Sequence, residues 1–166
     1  MQRQSAPVTT IGTNGKPTVV DFWAPWCENC KAAAPTLHKI EEEYKGKVNF
    51  VMVDADGDGA ATWEMIGKFG VDAIPHLALV SSEGYVETAL IGPIPASVLR
   101  EDLNCLLENA ANVAKAPPTE SPQLDAASGI EGASESSSGA QVNKRELPYT
   151  MYDAFRTHPE DRQIHF

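Results

Sequence analysis

The sequence predicts an α/β fold in the order βαβαββα: a central mixed sheet of four to five strands, flanked by helices and followed by a flexible C-terminal tail. Three observations carry that prediction. The apolar run Thr18-Val19-Val20-Asp21-Phe22-Trp23 leads directly to Trp26-Cys27-Glu28-Asn29-Cys30, so a strand covered on both faces feeds into a helix. Apolar runs of strand length then alternate with stretches of helical spacing as far as Leu106, the pattern of layered helices on a sheet. Finally, residues 116–140 are rich in Pro, Ser, Ala, Gly and Glu and hold no aromatic residue, too little apolar surface to offset the entropy of ordering.

Residues 1–16 are polar and contain Gly12, Asn14 and Gly15, which predicts a flexible lead-in with a short strand at Val8–Ile11. The first main strand is Thr18–Trp23. A helix follows from Cys27 to Tyr44, with Leu37, Ile40 and Tyr44 on one face and Gly46 ending it. The next strand is Val48–Val53; returning to it through a helix implies a parallel, right-handed crossover. A shorter helix from about Thr62 to Phe69 is expected to bury Trp63, Ile66 and Phe69. Pro75 then precedes a strand at His76–Val80, and Ser81-Ser82-Glu83-Gly84 turns the chain into Tyr85–Ile91. Pro95 suits the first turn of a last helix reaching about Asn109, with Leu99, Leu103, Leu106 and Ala110 inward. The implied organisation is a domain over 17–113, a linker over 114–146 and an aromatic segment over 147–166, able to dock on its own domain or on a partner.

Charge narrows the function. Lys and Arg number 13 against 23 Asp and Glu, a formal net charge of −10. Such a surface argues against binding nucleic acid and against docking on anionic lipid. The longest wholly apolar runs, such as Phe50-Val51-Met52-Val53, are far too short to cross a bilayer, and no signal peptide is visible.

The cysteines are the chemistry. A disulfide spanning two residues constrains the unfolded chain little, so a purely structural role is a poor account of Cys27 and Cys30. A zinc site needs two further ligands, yet Cys105 stands alone and His38, His76, His158 and His165 are scattered. The favoured reading is dithiol–disulfide exchange with no metal and no cofactor; metal binding and inert packing are the alternatives. The helix start turns its unpaired N–H groups and positive dipole end toward the Cys27 sulfur. Cys27 is therefore expected to be the exposed nucleophile and Cys30, one turn deeper, the resolving thiol.

Val20-Asp21-Phe22-Trp23-Ala24-Pro25-Trp26-Cys27, the following Lys31, Pro35 within the helix, and Gly70-Val71-Asp72-Ala73-Ile74-Pro75 together resemble the thioredoxin superfamily over Thr18 to about Glu108. The resemblance implies a thioredoxin fold with Pro75 as a cis-proline against the disulfide. It implies a substrate-binding set of Trp26, Ile74, Pro75 and His76, with the Ile74 backbone pairing to an extended substrate. It also gives Asp21 the role of buried proton acceptor for the Cys30 thiol, with Met52 in the place of a lysine that neighbours this acid in related proteins. His76 could tune the site with pH, although such a histidine is more often an ordinary strand residue.

Glu28 and Asn29 replace the Gly-Pro of thioredoxin and are read as redox-tuning residues. A carboxylate near Cys27 opposes the thiolate by about 1 kcal/mol, near one pKa unit, which stabilises the disulfide and makes a stronger reductant. Within the superfamily the chain is similar to the membrane-anchored thylakoid proteins of the high-chlorophyll-fluorescence type, through W-C-E-x-C, residues 39–53 and Ala73-Ile74-Pro75-His76. That similarity implies disulfide-containing protein substrates, a membrane thiol transporter as electron donor, and a thylakoid location facing the lumen, with the anchor outside this chain. A general thioredoxin, a cytochrome c maturation reductase and a redox-inert interaction module are the alternatives. Two features are expected to be bystanders. Asp54-Ala55-Asp56-Gly57-Asp58-Gly59 fits half of an EF-hand loop, but Met65 stands at its closing position and a strand precedes it. Cys105 reads as a part-buried spectator thiol.

Overall fold

The computed structural model describes residues 5–115. Seven main elements follow one another: β1 (Thr18–Trp23), α1 (Glu28–Glu43), β2 (Asn49–Asp54), α2 (Ala60–Phe69), β3 (His76–Val80), β4 (Val86–Ile91) and α3 (Ala96–Lys115). The four strands form one mixed sheet in the order β2-β1-β3-β4. β1 and β2 are parallel, with Asp21 opposite Met52 and Trp23 opposite Asp54. β3 runs antiparallel to both β1 and β4, and Phe22 faces His76 across the first of these pairings.

Period-2 alternation along β1 divides the core in two. Val19 joins Leu37, Ile40 and Tyr44 of α1 and Leu99, Leu103 and Leu106 of α3 on one face. Val20 and Phe22 join Met65 and Phe69 of α2 on the other. The first layer is tied across its helices by Arg100, whose guanidinium donates to both Glu43 oxygens at 2.7 and 2.8 Å. The Tyr44 hydroxyl adds a bond to Asn104 Oδ1 at 2.9 Å.

Four expectations are corrected. Residues 8–10 form a single 3-10 turn instead of a strand, because Thr10 and Ile11 donate backward to Pro7 and Val8 and leave no edge to pair. The segment is also not a loose lead-in: Ile11 is buried in the α2-side core, and Ala6 N donates to Phe50 O at 2.8 Å. On α2, Met65 and Phe69 are the buried residues, whereas Trp63 is 64% exposed. At about 100° per residue, Trp63 lies roughly 160° around the helix from Met65, so both cannot face the sheet. α3 continues past Asn109 to Lys115, and its last turns lie beside the Ser81–Gly84 turn, where Asn109, Ala110 and Val113 line a shallow depression with Ser81 and Ser82. The linker and aromatic segment expected beyond Lys115 lie outside the described residues.

Candidate active site

β1 ends at Trp23, and the next four residues turn the chain so that Cys27 caps α1. Cys27 N donates to Ala24 O at 3.0 Å. The Cys27 sulfur in turn accepts the Cys30 N–H at 3.1 Å, occupying one of the unpaired donors of the helix start. The two cysteines are joined, S–S 2.10 Å with Cα atoms 5.3 Å apart. They lie in a small apolar cluster with Ala24, and Trp23 and Ile74 pack against it. In this oxidised form Cys27 is 5% and Cys30 8% exposed, so accessibility does not single out Cys27. What distinguishes the two sulfurs is the cap: an N–H and the helix dipole point at Cys27, where they favour its thiolate.

The Ile74–Pro75 peptide bond is cis; Pro75 is buried, and Ile74 before it packs against the disulfide cluster. Between α1 and the segment after β4 runs a cleft of about 210 Å³, which Asn29, Ala32 and Ala33 line on one side and Pro75, Gly92 and Ile94 on the other. Ala32, Ala33, Gly92 and Ile94 were missed by sequence reasoning. Small residues at an ordinary helical spacing carry no signal of a groove until the opposite wall is known.

Trp26, which immediately precedes Cys27, is 63% exposed and offers a flat apolar surface to solvent. Asp21 is 3% exposed and shares the α1-facing side of β1 with Val19, and Met52 is its register partner on β2. Glu28 lies at the surface and its carboxylate pairs with Lys31 Nζ at 2.7 Å, so the charge read as opposing Cys27 has a cation one turn away. His76 departs most from its place in the expected substrate-binding set. Its ring is fully buried on the α2-facing side, edge-on to Phe22 at 5.6 Å between centroids. Neither ring nitrogen meets a protein partner, and burial pushes its pKa down, against a smaller opposing pull from Asp72. The cleft is lined by its neighbours Pro75 and Leu77 and not by His76.

The remaining motifs do not join this site. The Asp54–Gly59 segment is a tight turn in which Asp56 N donates to Asp54 Oδ1 at 3.0 Å. Among the described residues no group of three His, Cys, Asp or Glu is placed to hold a metal. Cys105 is a buried thiol on α3, outside the disulfide, with the Asn109 side-chain nitrogen 3.9 Å from its sulfur. No helix of the described residues is long and apolar enough to cross a membrane.

The thioredoxin family model matches residues 6–104. The chain is 47% identical over 95 residues to the thioredoxin-like protein HCF164, chloroplastic, of Arabidopsis thaliana, covering 57% of this chain and 35% of that protein. Against the rice protein of the same name it is 41% identical over 116 residues, 69% of this chain and 40% of the relative. The thiol:disulfide interchange protein TxlA homolog of Synechocystis is 34% identical over 106 residues, 63% and 57% of the two chains. The chain thus spans between about a third and three-fifths of the length of these relatives. The family match runs from the 3-10 turn into α3 and takes in both cysteines, Ile74 and Pro75; the chain belongs to the thioredoxin family.

Proposed function

We propose that the chain is a protein-disulfide reductase that passes electrons from a membrane thiol transporter to lumenal proteins of the thylakoid, including those of cytochrome b6f and c-type cytochrome assembly. The observation that carries the exchange chemistry is the capped sulfur: Cys27 holds the N-terminal position of α1 and accepts the Cys30 N–H, while the acid at Glu28 supports the reducing direction. In the reduced protein the Cys27 thiolate attacks a substrate disulfide, and one substrate sulfur leaves as a thiolate. Cys30 then loses its proton to Asp21 and attacks the Cys27 sulfur. The second substrate thiolate is released, the Cys27–Cys30 disulfide forms, and two electrons have passed to the substrate. Trp26 and the Ile74–Pro75 backbone hold the substrate strand. Similarity to chloroplast and cyanobacterial relatives supports the thylakoid setting.

Cys27→Ser is expected to abolish reduction of insulin disulfides. Cys30→Ser retains one round of attack and accumulates mixed disulfides, whose recovery from a lumenal extract identifies the clients. Equal adduct formation by both variants overturns the assignment of nucleophile and resolving thiol.

A further inference from the structure

Trp26 and Trp63 are the large apolar side chains left exposed among the described residues. Trp26 belongs to the site above; Trp63 does not. Its neighbours on the helix surface, three and four residues away, are Gly59, Ala60, Ile66 and Gly67. None but Ile66 has a side chain longer than a methyl group, so the indole face stays open. The turn that leads into this helix carries Asp54, Asp56 and Asp58, all exposed. The ion pairs among the described residues leave these three carboxylates out, while Glu64 beside the indole is matched by Lys68 at 2.8 Å. The result is an apolar anchor next to three uncompensated negative charges. The turn is fixed to the working edge of the sheet, because Ala55 N donates to Trp23 O at 2.7 Å, three residues before Trp26.

We propose that Trp63 and the Asp54–Asp58 turn form a docking surface for a protein segment carrying Lys or Arg around an aliphatic or aromatic anchor. A tryptophan that a partner covers is among the commonest interface hot spots, and charges around it set partner choice and encounter rate. Other occupants fit worse. A second copy would bring the same three carboxylates and a net charge of −10 against themselves, and anionic lipid is repelled in the same way. The proposal does not depend on the reductase reading, since the surface lies outside the cysteine site.

The test is equilibrium binding by the full chain of a cysteine-free peptide with Lys and Arg around one Leu-Phe pair, beside the same peptide with Glu at the basic positions. Wild type should bind the basic peptide at least about tenfold more tightly than the acidic one, and Trp63→Ala should weaken it by at least about fivefold. Asp56→Asn with Asp58→Asn should flatten the salt dependence of binding. Each variant should reduce a small aromatic disulfide at the wild-type rate, which reports intact folding and an intact cysteine site. Equal affinity of wild type and Trp63→Ala for the basic peptide overturns the proposal. So does self-association or binding to phosphatidylglycerol vesicles that Trp63→Ala removes, or nuclear Overhauser contacts between the Trp63 indole and residues 147–166 of the same chain.

Discussion

Glu28 illustrates how one charge is read differently once its partner is known. From the sequence it is an acid beside the nucleophile; in the structure it also holds Lys31 at 2.7 Å. Removing the acid therefore does two things: it deletes a negative charge near Cys27 and releases a positive one. Both favour the thiolate, so Glu28→Gln should raise the midpoint potential, and Glu28→His should raise it further, each by ~30 mV per 1.4 kcal/mol of disulfide stability lost. Lys31→Gln should move it the other way. Titration of the four proteins against a glutathione or dithiothreitol buffer decides this, and coincident potentials would make Glu28 a solvated helix-start residue. The pairing was legible in principle, since residues three apart on a helix are neighbours. The burial of His76 was not. It depends on β1 and β3 pairing so that Phe22 meets the imidazole, and on α2 bringing Phe69 to within 5.4 Å of Phe22.

At the scale of elements, β1 and β3 were legible to the residue because a strand buried on both faces reads as an unbroken apolar run. Helix faces were harder. The sequence offers four bulky apolar residues on α2, Trp63, Met65, Ile66 and Phe69, and only the sheet decides that Met65 and Phe69 turn inward and Trp63 outward. The 3-10 turn was misread because Val8, Thr9, Thr10 and Ile11 are β-branched, and such runs favour strands only where an edge can receive them. This turn is locked to the β3–β4 connection at Gly12, which has φ +67° and whose added Cβ would lie 2.7 Å from Gly84 Cα. Gly15 has a similar φ of +70° but open space around it. Gly15→Ala should therefore cost about 1–2 kcal/mol for the left-handed backbone alone. Gly12→Ala should cost that plus a clash between two backbones, roughly 1–3 kcal/mol more. Urea midpoints of the two variants measure the difference; equal losses would show that the contact between the turns carries no stability.

For the whole molecule, the buried imidazole links stability to acidity. Burial holds the His76 pKa below its ordinary 6.5, with Asp72 pulling weakly the other way. As pH falls through about 6.5 the unfolded chain takes up that proton before the folded one does. Stability is thus full above the ordinary value and drains below it, by at most ~1.4 kcal/mol per pH unit. Urea unfolding at pH 7.5 and 5.5 should show a larger loss for wild type than for His76→Phe; parallel losses would assign the acid sensitivity to the carboxylates instead. The same scale gives meaning to where α3 ends. Its last turns lie against the Ser81–Gly84 connection, at the opposite end of β3 from His76 and the disulfide. Anything joined to the chain after Lys115, whether a label, a surface linkage or the rest of a longer polypeptide, pulls from the far pole. A layer of molecules grafted there would all hold their disulfides outward, and an electrode beneath such a layer would reach the cysteine pair only through solution.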